Sequence, residues 1–231
     1  MRGDAIRWEV VNEFKKLCTS FLNSIKTVIV VGGGPIDPEI VYLESIGRNI
    51  SISYMGLEKT ELNFQFLDLN QESTFDKQAD LVCCSQVLEH VWNHQIFFDH
   101  LKNLTKPGGY LWINVPFSNF VHGSPHFYSS GFSPDYLVKN LEKIGFEIVY
   151  ANQLGSRRYY LATHILNVWL NEREHKHVLA YYHFQPGTRL GIARKFILEW
   201  IQRIPLALFS TAVTPNPKSA TESLVLARRR R

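Results

Sequence analysis

The sequence predicts an α/β sandwich, a mostly parallel sheet with helices on both faces. Three observations carry this. Residues 27–39 read TVIVVGGGPIDPE: a β-branched apolar run, Val28 to Val31, passes straight into three glycines. Asp37, Pro38 and Glu39 then fit an N-cap, a first helical residue and a first-turn acid. Short apolar runs go on alternating with stretches of helical spacing as far as residue 153. Finally, ESLVLA at 222–227 reads as one more strand, returning to the sheet after a long interval.

A chain of 231 residues suits a single α/β domain with an embellishment. The formal net charge is +4, and Arg228, Arg229, Arg230 and Arg231 supply four positive charges, so the body is close to neutral. That argues against a nucleic-acid-binding face, and no nucleic-acid partner is expected. The arginine tail, 228–231, reads as a solvated, disordered end, with contact to RNA, an acidic protein or an anionic membrane surface as the other readings. Three cysteines do not make a disulfide framework, which fits a reduced cytoplasmic protein. Residues 1–16 lack the apolar core of a signal peptide. No run reaches the roughly 18 apolar residues of a membrane span.

In chain order, Ile6, Val10, Phe14, Leu17, Phe21 and Leu22 recur at helical spacing. They predict an amphipathic helix over about 4–24, on the sheet edge or over the mouth of a binding site. At the glycine turn the missing Cβ lets the chain bend tightly and lets bare amides face a nucleotide-like cofactor. A tight βα turn with no ligand is the other reading. Gly47 closes the next helix, and residues 50–55 form a second strand running into Glu58. A carboxylate roughly 20 residues past the turn is where ribose hydroxyls are held; a surface Glu in a loop is the alternative.

Residues 64–67 are a third strand, ending at Asp68 and Leu69. Asp68 suits an acceptor for an exocyclic amine, with Leu69 against an aromatic ring, or else an Asx turn. Residues 79–85 are a fourth strand, in which Cys83 and Cys84 point to opposite faces. Residues 94–104 form a helix with Ile96, Phe97, His100, Leu101 and Leu104 toward the sheet. Residues 106–109, KPGG, make a sharp turn into a fifth strand over 110–115. Ser133, Pro134 and Asp135 open another helix, Gly145 ends it, and 146–150 is a strand.

The runs DLVCCSQVLEHVWN (80–93) and LKNLTKPGGYLWINVPF (101–117) resemble class I S-adenosylmethionine-dependent methyltransferases, in particular the small-molecule, type 11-like members with a VLEHV segment. With the glycine turn, Glu58, Asp68 and the later GFEIV run, the resemblance covers residues 27–153. It implies a Rossmann-like methyltransferase fold with a seven-stranded sheet, one strand antiparallel near the edge, and S-adenosylmethionine as cofactor. It also implies roles. Gly32, Gly33 and Gly34 pass under the methionine and ribose, Glu58 holds the ribose hydroxyls, and Asp68 and Leu69 frame the adenine. Ser85 and Gln86 line the floor near the sulfonium.

Two positions depart from the pattern. Val30 stands where the first strand usually carries an acid, and Ile36 stands at the last glycine position. Some relatives with an EHV segment bind a metal through such groups; here the matching upstream acid is Gln86, and no metal is expected.

The loop after the fifth strand carries His122, His126 and Tyr128. His126, with His90 from the VLEHV segment, is the candidate for taking a proton from an acceptor hydroxyl; a purely structural hydrogen bond is the alternative. Residues 155–219 are read as an embellishment before the last strand. Within it Ala193, Phe196, Ile197, Trp200, Ile201 and Ile204 make an apolar helical stripe. The stripe suits packing on its own domain, a dimer face, an acceptor lid, or peripheral membrane contact through 190–204. The expected function is methyl transfer from S-adenosylmethionine to a small molecule, a sugar or lipid-linked intermediate. The alternatives are a catalytically inactive methyltransferase-like binding module and a nicotinamide-dependent oxidoreductase; the latter leaves VLEH and KPGG unexplained.

Overall fold

A computed structural model describes residues 5–47, 49–57, 64–75, 77–118, 125–155 and 221–231. The chain runs α1 (Ala5–Cys18), β1 (Thr27–Val31), α2 (Pro38–Ser45), β2 (Ser51–Gly56), β3 (Phe64–Phe66), β4 (Ala79–Ser85), α3 (His94–Leu104), β5 (Thr105–Pro116), α4 (Pro134–Lys143), β6 (Phe146–Leu154) and β7 (Glu222–Arg229). The strands form one sheet in the order β3-β2-β1-β4-β5-β7-β6. β1 to β5 pair in parallel, and β7 runs antiparallel between β5 and β6. The strand order reverses at β1 and β4. The crevice outside their carboxyl ends is where open α/β sheets bind ligands.

Strand alternation divides the core into two layers. Val28, Val30, Leu81, Cys83, Trp112, Leu224 and Leu226 face Val10, Phe14 and Cys18 of α1 and Ile40 and Leu43 of α2. Ile29, Val31, Val82, Cys84, Ile113 and Val225 face Phe97, Phe98 and Leu101 of α3 and Leu137 and Leu141 of α4. Cys83 and Cys84 do part to opposite faces. All three cysteines are free and buried, and burial pushes their thiols well above the ordinary range. In α3 it is Phe98 that is buried, while Ile96 is half-buried. A carboxylate ties the amino-terminal ends of three strands together. Asp80 accepts from the Lys26 and Thr27 amides and the Thr27 hydroxyl, each at 2.9 Å, and from Lys106 Nζ at 2.8 Å.

Four expectations are corrected. α1 stops at Cys18, where the Thr19 and Ser20 hydroxyls turn back onto the Lys16 and Leu17 carbonyls; a separate 3-10 turn, Leu22–Ser24, follows. α1 lies across a face of the sheet rather than along its edge alone, with Phe14 against Trp112 of β5 at 5.2 Å between ring centroids and Glu13 accepting from Tyr150 of the edge strand β6 at 3.1 Å. KPGG does not precede β5 but lies inside it, where the pairing with β4 shifts register between Ala79 and Leu81. The arginine tail is not a loose end. Arg228 pairs with Tyr110 and Arg229 with Phe146, because a strand between two long neighbours is extended by their ladders. Arg229 also donates to the Lys102 and Thr105 carbonyls at the end of α3, where a cation complements the helix dipole. The expected embellishment lies outside the described residues.

Candidate functional site

The turn after β1 is built on glycine for two physical reasons. Gly32 has φ +70°, which side-chain-bearing residues rarely adopt, and its N–H donates to Met55 O at 2.7 Å. A Cβ there would come within 2.6 Å of Val87 Cγ2. At Gly34 a Cβ would meet no atom of the described residues within 4 Å, so among them the backbone borders open space. Asp37 sits at the N-cap of α2, but its carboxylate accepts from the Gly34 amide at 3.0 Å instead of capping the helix. Ile36, at the expected third glycine, is 87% exposed and meets no close helix–strand packing.

At the carboxyl end of β4, Ser85 Oγ donates to Glu39 Oε1 at 2.9 Å, and Trp112 Nε1 approaches the same oxygen at 3.4 Å. Glu39 is buried, and its Oε2 has no hydrogen-bond partner among the described residues. Gln86, the next residue, has φ +58°, a conformation that is strained by about 1–2 kcal/mol for a non-glycine residue. Its surroundings hold it there. Its N–H donates to Asn114 O, and its Nε2 donates to Asn114 Oδ1 at 3.0 Å and Glu222 Oε2 at 2.8 Å. Asn114 Nδ2 donates to the same Glu222 oxygen at 2.8 Å. Gln86, Asn114 and Glu222 thus join β4, β5 and β7 at the ligand edge.

Leu88–His90 is a 3-10 turn ahead of α3. The Glu89 carbonyl accepts from the Tyr128 and Ser129 amides, pinning the loop after β5. His90 Nδ1 bonds the His126 carbonyl. A carbonyl only accepts, so Nδ1 carries the hydrogen and Nε2 of the neutral ring carries the lone pair. That Nε2 is 3.9 Å from Glu89 Oε1. The His126 side chain is exposed. Asp68 accepts from the Asn70 amide at 2.9 Å and Gln71 Nε2 at 2.7 Å, the Asx-turn arrangement, and Leu69 is buried.

Gly32, Gly33, Gly34, Ser85 and Gln86 therefore cluster at the reversal point, His90 and His126 meet beside them, and Asp68 and Leu69 follow β3. Glu58 and His122 lie outside the described residues. Sequence reasoning missed Glu39, Asn114 and Glu222 as a polar floor. Asn114, inside the apolar run YLWINVP, was the legible signal, because a buried amide demands partners.

A methyltransferase domain family matches residues 20–151, more than half of the chain, and the chain belongs to that family. Over 95 residues it is 39% identical to the mitochondrial ubiquinone biosynthesis O-methyltransferase of Dictyostelium discoideum, covering 36% of this chain and 30% of that protein. The match thus spans about a third of that relative's length. A SAM-dependent methyltransferase from Archaeoglobus fulgidus shares the fold with a TM-score of 0.55 at 15% identity, over 96% of this chain and 94% of that one. Phosphoethanolamine N-methyltransferase 2 of Haemonchus contortus, in complex with S-adenosyl-L-methionine, does so with a TM-score of 0.53 at 10% identity, over 94% and 53%.

S-adenosylmethionine is the cofactor of this family, and the residues present fit it. The open face of Gly34 leaves a cradle, and the glycine turn lies at the strand-order reversal where nucleotides bind. Nearby, a buried carboxylate oxygen lacks a donor.

Proposed function

We propose that the protein transfers a methyl group from S-adenosylmethionine to a small, lipid-linked acceptor hydroxyl. The observation that carries this is the glycine turn with its open face at Gly34, placed at the reversal of strand order. When bound, the cofactor supplies an electrophilic methyl group on a sulfonium. Gly32, Gly33 and Gly34 bind its amino-acid and ribose part; Glu58 takes the ribose hydroxyls; Asp68 and Leu69 border the adenine. Ser85 and Gln86 shape the floor. Gln86 is held rigidly by Asn114 and Glu222, which favours the fixed alignment that group transfer needs. His90 Nε2 takes the proton from the acceptor hydroxyl. His126 orients that ring through its carbonyl and acts as a positioning residue.

The lipid-linked class is favoured over the sugar by the rim. Ile36, Leu57, Trp92 and Tyr128 are large exposed apolar residues in loops at the carboxyl edge of the sheet. The relative's name points to quinone biosynthesis, which has the same character. Buried free thiols fit a reducing compartment such as the cytoplasm. Among the described residues no helix is long and apolar enough to cross a membrane.

The test is transfer of labelled methyl to prenylated phenols and to soluble sugars, with His90→Gln and His126→Ala alongside. Turnover on the phenols is expected, with a large loss of kcat in the first variant and a small change in the second, whose main-chain carbonyl remains. Val30 favours a second reading, an inactive binding module; cofactor binding without turnover on either acceptor class would select it.

A further inference from the structure

Among the described residues, Glu39 is a buried carboxylate near the glycine turn that no ion pair compensates. It is 2% exposed and sits in the first turn of α2. Its Oε1 accepts from Ser85 and Trp112, and its Oε2 has no partner among the described residues. The ion pairs among the described residues do not include it. Around it are Trp112 and the layer of Val30, Cys18 and Cys83, and the nearby charged side chain is a second carboxylate, Asp37, which is held on the Gly34 amide and offers no cation. A carboxylate taken out of water with one oxygen unanswered destabilises the fold. Its retention beside a ligand crevice points to a cation that arrives with the ligand.

Val30, Cys83 and Trp112 are lateral neighbours across β1, β4 and β5 and face the same side of the sheet. The side of β1 that faces this layer carries a valine and no charge. Glu39 brings a carboxylate into the same layer from the helix, tied to Ser85 at the carboxyl end of β4 and to Trp112 of β5.

We propose that Glu39 is the anionic anchor for the α-ammonium of the cofactor's amino-acid end, a positioning residue that supplies from α2 the charge that β1 lacks. Its oxygens are sealed from water, so it acts through the field across the glycine turn, where low polarisability keeps that field strong. This rests on the cofactor assignment above.

Calorimetry tests it with three ligands: S-adenosylhomocysteine, its desamino analogue, and 5′-methylthioadenosine, which has no amino-acid part. Wild-type protein is expected to bind S-adenosylhomocysteine about 10- to 100-fold more tightly than the desamino analogue. Glu39→Gln keeps the shape and an acceptor for Ser85 but removes the charge. It should abolish most of that preference while leaving methylthioadenosine binding within about twofold. Adding Val30→Asp to Glu39→Gln should restore part of the preference. Equal wild-type affinity for S-adenosylhomocysteine and its desamino analogue overturns the proposal without any variant. Equal weakening of all three ligands by Glu39→Gln also overturns it, making Glu39 structural. If wild-type protein binds none of the three, the cofactor assignment itself fails, and the proposal with it.

Discussion

Gly32→Ala isolates the two demands of the cofactor turn. The substitution imposes a side chain at φ +70°, which destabilises by about 1–2 kcal/mol. It also places a Cβ 2.6 Å from Val87 Cγ2 and 2.9 Å from Cγ1, an overpacking term of about 1–3 kcal/mol. Val87 is buried under the turn, so it has little room to move. The single variant should therefore lose roughly 2–5 kcal/mol. Val87→Ala alone leaves a cavity and should lose about 1–3 kcal/mol. In the double variant both offending methyls are gone, and the nearest remaining atom, Cβ of residue 87, stands at 3.4 Å, ordinary contact. The overpacking term disappears while the backbone term stays. The two losses should thus fall short of additivity by about 1–3 kcal/mol. Urea denaturation followed by tryptophan fluorescence measures all four corners, with buried Trp112 as a reporter. Additive losses would show that the turn does not rest on Val87, and the steric account of Gly32 would be refuted.

Other perturbations have equally defined outcomes. The Asp80 carboxyl is pushed up by partial burial, but its bonds to Lys106 and to Lys26 and Thr27 outweigh this and hold it down to about 2 from the ordinary 3.8. Its contribution to stability is therefore complete above 3.8 and is lost as pH falls toward 2. The full shift equals ~2.4 kcal/mol; with a fifth of the side chain exposed, screening reduces it to about 1 kcal/mol. Asp80→Asn should lose that much at neutral pH and show a flatter stability profile in acid. A Cβ on Gly131 would collide with the Phe117 carbonyl, which is backbone and cannot rotate away, so Gly131→Ala should lose about 3 kcal/mol or more in a thermal melt. Glu222→Leu removes the acceptor shared by Gln86 and Asn114 and should lose about 2–4 kcal/mol by the same assay. A full-length Glu222→Leu protein as stable as wild type would remove this network from the account of the floor.

What was legible in the sequence was whatever local chemistry dictates. The run Val28 to Val31 into glycine has one cheap backbone solution, and the structure adopts it. The same holds for Ser133, whose hydroxyl accepts from the Tyr136 amide as a helix cap. The misread segments are those decided by partners far along the chain. Four arginines look like a solvated end until β5 and β6 extend the ladder through Arg228 and Arg229. KPGG looks like a turn until Gly109 is set against the carbonyls of Ala79 and Asp80. Glu39 reads as a first-turn acid of α2; only packing reveals that its carboxylate meets Ser85 and Trp112. Glu222 was read merely as the first letter of a strand, because its partners lie 108 and 136 residues away.

Those separations bear on how the site is assembled. Gln86 is held in a left-handed conformation that an isolated β4 has no reason to adopt. Two of its restraining bonds come from Asn114 on the neighbouring parallel strand, but the third comes from Glu222, at the start of a strand that must insert between β5 and β6. Contacts of such sequence separation form late, because loop-closure entropy opposes them until the rest of the sheet exists. Docking of β7 also satisfies the facing edges of β5 and β6, which otherwise present unpaired backbone. The floor beneath the proposed transfer site and the closure of the sheet are therefore one event. A chain that has not placed Glu222 holds the glycine turn, whose contacts among the described residues are with β1, β2, Val87 and Asp37, yet lacks the rigid base that alignment of the acceptor requires.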